Sequence, residues 1–149
     1  MDLGELINTR GVIRLETKDK LEALEQMIEA LSKRKEVTSK EKLRRAIKDR
    51  EKILSTGIGY GVAIPHAKIA QVKKFCAVIG ISKPGIPFDA MDGKPVHIIV
   101  MIAAPEDAHG EYLGLLQRIT HTLKDEETRK RIIDSKDTKS VISIFSDIA

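Results

Sequence analysis

The chain has 149 residues, 42% hydrophobic and 32% charged, a balance that fits a single soluble domain (1–149) with a substantial core. Its 26 basic and 22 acidic side chains leave a formal net charge of +4, but the signs are interleaved, so the surplus is a weak sign of nucleic acid and none is expected as a partner. The single cysteine, Cys76, excludes an intramolecular disulfide, the apolar run from Ile98 to Ala104 is far short of the ~20 residues that span a bilayer, and MDLGELINTR lacks an apolar leader, so the expectation is a cytoplasmic chain.

In chain order, Val12 to Leu15 is a short β-prone run, and Thr17 is the expected N-cap of the first long helix. Leu21, Leu24, Met27, Ile28 and Leu31 recur at helical spacing, which predicts an amphipathic helix from Asp19 to Ser32. Thr38 with Glu41 three residues later is a capping-box pattern, announcing a helix whose apolar face holds Leu43, Ala46, Ile47 and Leu54. Its remaining surface is densely charged. A basic helix of this kind can meet nucleic acid, but no recognition motif surrounds it, and a solvated, salt-bridged face is the favoured reading.

Glu51 to Ala67 (EKILSTGIGYGVAIPHA) then gathers Ser55-Thr56, three glycines at alternate positions and a Pro-His pair. After the short β-prone run 62–64, FCAVIGIS (Phe75 to Ser82) and Val96 to Ala104 are apolar runs of strand length, joined by a connection with turn signals at Pro84-Gly85 and Asp92-Gly93. Leu113, Leu115, Leu116, Ile119 and Leu123 mark a third helix. Asp125 caps a fourth over Glu126 to Ile133, and Asp137 or Thr138 a fifth that turns Val141, Ile142 and Phe145 inward. Buried strands among helices argue for an α/β layered domain.

The chemistry concentrates at His66. No HExxH, Cys-rich zinc pattern, Walker sequence, GxGxxG or nucleophile elbow occurs, so neither metal nor cofactor is expected. His97, inside a strand pattern, and His121, near a helix end, read as structural or surface groups, and Cys76 as a small buried hydrophobe. His66 follows a rigid proline, and imidazole is a competent nucleophile near neutral pH. Attack on phosphorus would load it with close to two negative charges, which need a cation and donors nearby. Arg50, Ser55, Thr56 and the N–H groups from Gly57 onward are candidates to supply them. The same residues also fit a purely structural glycine-rich turn ending in a hydrogen-bonded Pro-His stop. Ile58, Tyr60 and Val62 are the expected apolar rim of the site.

Glu51, six residues, Ile58-Gly59, two residues, then Val62-Ala63-Ile64-Pro65-His66-Ala67 resembles the phosphorylation-site signature of enzyme IIA proteins of the fructose/mannitol class, in the bacterial phosphoenolpyruvate-dependent phosphotransferase system, a class that includes the nitrogen-regulatory IIA proteins. Arg50-Glu51, FDAMDGKPV and IAAPED are similar as well, so the likeness covers nearly the whole chain. It implies a mixed sheet with helices on both sides. It implies that His66 accepts a phosphoryl group from an HPr-type phosphocarrier and passes it to a cysteine of a IIB domain, or else that its phosphorylation state controls regulated partner proteins. Contact with a membrane would be indirect, through a permease complex. Arg50 matches the family arginine beside the active histidine. Where family members carry a second histidine, this chain has Tyr112, with His109 three residues earlier; either is a candidate donor to the phosphoryl oxygens, and His109 is preferred because its imidazolium would add charge.

Overall fold

Apolar residues of both parities along 76–81 and 96–104 leave neither face of those strands to solvent. In the computed structural model, which describes residues 2–147, these runs become the two central strands of one sheet. The elements are α1 (Leu3–Leu6), β1 (Val12–Arg14), α2 (Lys20–Ser32), α3 (Lys40–Ile53), β2 (Gly57–Gly59), β3 (Val62–Ala63), β4 (His66–Ile69), β5 (Cys76–Ile86), β6 (Val96–Pro105), α4 (Gly110–Leu123), α5 (Glu126–Ile133) and α6 (Thr138–Ser146).

The strand order is β1-β5-β6-β3-β2, with β4 also on β6, and the sheet is mixed: β1 runs parallel to β5, β5 antiparallel to β6, β3 and β4 parallel to β6, and β2 antiparallel to β3. β3 and β4 share one register on β6, Val62 opposite Ile98 and His66 opposite Ile102, so they form a single line broken at Ile64-Pro65. Pro65 has no N–H to give, but its carbonyl still accepts from Ile102 at 3.0 Å.

Alternation along β5 sends Val78 and Cys76 to one face and Ala77, Ile79 and Ile81 to the other, and each face has its own core. α2 and α3 cover the first through Leu24, Met27, Ile28, Leu31, Leu43 and Ile47. The second is covered by α1 and α4–α6 through Leu3, Leu115, Ile119, Leu123, Ile132, Val141 and Phe145. α2 comes down so closely that a Cβ built on Gly80 would lie 2.5 Å from Met27 Sδ and 2.8 Å from Leu15 Cδ1. Helices on both faces of a mixed sheet agree with the expected architecture. Among the described residues no helix is long and apolar enough to cross a membrane.

Several boundaries differ from the sequence expectation, each for a local reason. Asp19, not Thr17, holds the N-cap position of α2, and the Thr17 hydroxyl accepts the Asp19 N–H at 3.1 Å instead. Ser39 caps α3 by accepting from the Lys42 N–H at 3.2 Å; the expected cap Thr38 donates its hydroxyl to the Gln71 carbonyl, and Glu41 pairs with Arg44 rather than closing a box. Leu21 and Leu113 lie on the outer sides of their helices. Pro84-Gly85 makes no chain reversal: β5 runs on to Ile86 through a register shift. The caps at Asp125 and Asp137 are as expected, their carboxylates accepting from Thr128 N–H at 3.0 Å and Ser140 N–H at 2.8 Å. The charged flank of α3 is matched by α2, where Glu25 meets Arg44 at 3.0 Å and Lys48 at 2.6 Å, which fits the salt-bridged reading.

Candidate functional site

His66 opens β4, immediately after the break that Pro65 makes in the line along β6. Its Nδ1 lies 2.7 Å from the Ile64 carbonyl oxygen. A carbonyl only accepts, so Nδ1 carries the proton and Nε2 presents its lone pair. Burial is the largest influence on this imidazole and lowers its pKa from the ordinary 6.5; the Ile64 carbonyl pulls it up, Arg50 pushes it down and Glu51 pulls it up, and the net direction is downward. A ring that stays neutral at neutral pH keeps that lone pair available.

Arg50 sits in the last turn of α3 and donates from Nη1 to the Leu54 carbonyl at 2.9 Å. That bond holds the guanidinium at the helix C-terminus, where a cation is favoured. Its charge acts on both His66 and Tyr112, so the three groups share one neighbourhood. Tyr112, in the first turn of α4, sets its ring edge-on to His66 with centroids 5.7 Å apart. Burial pushes its phenol up to about 12, so at neutral pH the hydroxyl keeps its proton and remains a donor.

No sequence motif singles out Lys68. It lies two residues beyond His66 on β4 and therefore on the same side of the strand. Its Nζ is 3.1 Å from His109 Nδ1 and 5.6 Å from the centre of the Tyr112 ring. An ammonium can only donate, so His109 Nδ1 is the acceptor, and the nearby charge belongs to Lys68. The structure thus sets a lysine ammonium between His109 and the Tyr112 ring, where the expectation had His109 itself bringing the charge. The signal that would have found Lys68 is its i+2 relation to His66, hidden because Pro65 ends the β-prone run.

The donors at the start of the glycine loop are matched inside the protein. The Ser55 hydroxyl donates to the Phe88 carbonyl at 2.7 Å and accepts from the Gly57 N–H at 3.1 Å. Thr56 gives both its donors to Glu51, N–H to Oε1 at 3.0 Å and hydroxyl to Oε2 at 2.6 Å. Ser55, Thr56 and Gly57 thus hold the loop together instead of facing a ligand. Gly57 serves packing, since a Cβ there would lie 2.7 Å from Ala90 Cβ.

The expected rim also lies elsewhere. Val62 pairs with β6 four residues before His66 does, a separation of about 13 Å at ~3.3 Å per residue, and the turn at Tyr60 is farther still. Val62 is fully buried, Ile58 packs on the second core, and Tyr60 (φ 60°) faces Arg129, whose guanidinium is 5.5 Å from the ring centre. Ile58 and Tyr60 line a separate open cavity of about 730 Å³ with Met91, Lys94, His97 and Arg129. The exposed apolar groups on the elements that carry Arg50 and Tyr112 are Ile53 (80%), Leu54 (64%) and Leu113 (62%).

His97 and Cys76 are held within the structure. His97 Nδ1 lies 3.0 and 3.1 Å from the Ser82 and Lys83 carbonyls at the irregularity in β5, and burial pushes the Cys76 thiol up to about 12. Among the described residues no cluster of three or more His, Cys, Asp or Glu could hold a metal ion.

Residues 5–148 match the family described as phosphoenolpyruvate-dependent sugar phosphotransferase system, EIIA 2. The chain is 35% identical over 147 residues to the fructose-specific EIIABC component of a PTS system from Bacillus subtilis, covering 98% of this chain and 23% of that relative, so it spans about a quarter of that protein's length. Its fold is similar to the crystal structure of the nitrogen regulatory protein IIA-Ntr from Neisseria meningitidis, with a TM-score of 0.89 and 30% identity over 95% of this chain and 97% of that one. It is also similar to a complex of enzyme IIA mannitol with phosphorylated enzyme IIB mannitol from Escherichia coli, with a TM-score of 0.81 and 22% identity over 94% and 96% of the two chains, a likeness of fold alone.

Proposed function

Because the chain belongs to the phosphoenolpyruvate-dependent sugar phosphotransferase system EIIA 2 family, we propose that it is a phosphocarrier whose His66 takes a phosphoryl group from an HPr-type protein and hands it to a IIB cysteine. The observation that carries this reading is the tautomer: Nδ1 is held by the Ile64 carbonyl at 2.7 Å, leaving the Nε2 lone pair of a half-buried, neutral imidazole as nucleophile. In the first step Nε2 forms a bond to phosphorus and the donor's P–N bond breaks, its electron pair returning to the donor ring. The His66 ring acquires positive charge, which the Ile64 carbonyl stabilises through the Nδ1 proton. In the second step a thiolate attacks phosphorus and the P–N electron pair returns to Nε2.

Arg50 and Lys68 supply the positive charge for the group in transit, and the Tyr112 hydroxyl supplies a neutral donor. His109 acts by orienting Lys68. Ile53, Leu54 and Leu113 form the apolar collar that meets the carrier and excludes water, so that transfer outcompetes hydrolysis.

The test is incubation with phosphoenolpyruvate, enzyme I and HPr, followed by measurement of acid-labile phosphate. The wild-type chain is expected to be labelled and His66→Ala, with its fold intact, to remain unlabelled. Full labelling of that variant would sink the assignment.

A second reading is supported by the likeness to IIA-Ntr over nearly the whole chain: the phosphorylation state of His66 controls binding to partner proteins. Discharge of the labelled chain by a IIB protein favours transport. Retention of the label, with partner binding that differs between the two forms, favours regulation.

A further inference from the structure

We propose that Lys20, Glu51 and Thr56 form a positioning relay that selects the tautomer of His66; this rests on the reading of His66 as the phosphoryl acceptor and assigns work to residues outside the reacting set. The relay is a continuous chain of polar contacts. Lys20 Nζ, at the start of α2, lies 2.9 Å from Glu51 Oε1 in the last turn of α3. Glu51 receives the N–H and the hydroxyl of Thr56 at 3.0 and 2.6 Å, one on each oxygen. The Thr56 carbonyl accepts the Ile64 N–H at 3.0 Å, and the Ile64 carbonyl accepts the Nδ1 proton of His66 at 2.7 Å. Each contact holds the residue that makes the next one, so the position of Ile64 O is coupled to a carboxylate several contacts away.

Adhesion between α2 and α3 is not enough to explain this arrangement. The Glu51 side chain is 6% exposed, and a buried carboxylate costs more than an apolar residue of the same size unless its partners are well placed. Both its oxygens are used on one residue of the loop that leads to the active-site strand, where an apolar contact would leave the Thr56 peptide free to rotate. Lys20 is itself held in place, 4.7 Å above the Phe88 ring and 3.8 Å from Asp89. His66 otherwise faces Arg50 from α3 and Tyr112 from α4, with Lys68 and His109 beside Tyr112; none of these contacts Nδ1.

The experiment reads the ring nitrogens of His66 by ¹⁵N NMR in the full, unphosphorylated chain, with no phosphoryl donor present. Wild type is expected to show the Nδ1–H form. Thr56→Val keeps the β-branched shape and removes the hydroxyl; the loss of about one hydrogen bond should move the tautomer ratio about tenfold toward Nε2–H. The rate of phosphoryl acceptance should fall in step with the remaining Nδ1–H population, and Thr56→Ser should restore both. Glu51→Gln, which turns an NH2 donor toward one of the Thr56 donors, should shift the ratio in the same direction. A wild-type tautomer in folded Thr56→Val overturns the relay, even if transfer slows. If that variant fails to fold, Lys20→Met decides, keeping an unbranched side chain without the charge: a shifted ratio supports the relay and an unshifted one overturns it. Should His66→Ala still accept phosphate, the phosphocarrier reading fails, while the tautomer measurement continues to report on the relay.

Discussion

Replacing Lys68 by methionine keeps an unbranched side chain next to Tyr112 and removes the ammonium. Two residues of strand rise place the Lys68 and His66 stems about 6.6 Å apart on one side of β4. At that separation a unit charge pair is worth about 0.6 kcal/mol in water and about 2.5 kcal/mol at an effective dielectric of ~20. Lys68 is half-buried, so an intermediate value near 1.4 kcal/mol applies, and acceptance of the phosphoryl group should slow about tenfold. The assay is single-turnover transfer from phospho-HPr, followed by quench and phosphate counting, with Lys68→Arg as the charge-preserving control. Raising salt toward 1 M shortens the screening length to about 3 Å, so the gap between wild type and Lys68→Met should narrow. Equal rates for the two proteins at low salt would refute the electrostatic role of Lys68. A gap that salt leaves untouched would refute the charge argument and point to packing.

Because His66 is held below 6.5, the acid-side decline in acceptance should have its midpoint below that value; a midpoint at or above 6.5 in the pH–rate profile would contradict the burial argument. The linked stability follows the same sign: a folded pKa below the unfolded one gives stability that is complete above 6.5 and lost as pH falls through the folded value, which melts of wild type and His66→Gln across that window would detect. Leu54→Asp should weaken HPr binding, whereas Tyr60→Asp, at the other end of β6, should leave the isotherm unchanged; the reverse pattern would return the docking rim to the glycine turn. Gly80→Val should destabilise the fold by about 1–3 kcal/mol, read from denaturant melts, because its side chain would enter space held by Met27 and Leu15.

What the amino-acid sequence determined by itself is whatever short-range chemistry decides. Asp125 and Asp137 announce α5 and α6 because a cap needs only a carboxylate and the next turn's N–H. The runs at 75–82 and 96–104 are legible as buried strands because predominantly apolar sequence of that length, bounded by turn signals, admits few other fates. His66 stands out through its proline stem, and Arg50 through its place immediately before the signature. Competing caps close together in the chain, as at Thr17/Asp19 and Thr38/Ser39, are chosen by what else each hydroxyl can reach, and Thr38 is drawn away by Gln71.

Tertiary structure decided which of the candidate residues lie together and added Lys68 to them. Lys68 joins His66 because β4 pairs with β6 beyond Pro65, a long-range register that local pattern cannot express. The same register carries Tyr60 to the far end of the sheet, although it is only six residues from His66 in sequence. Ser55 and Thr56 look like anion ligands in one dimension, but folding brings the Phe88 carbonyl and the Glu51 carboxylate within reach, and a donor already matched inside the protein gains little by turning to a ligand. Which imidazole nitrogen is free likewise depends on one carbonyl, Ile64 O, held in place by contacts that run from α2 to β4. Spacing along the chain identifies the groups that bear chemistry; pairing across the sheet determines which of them meet.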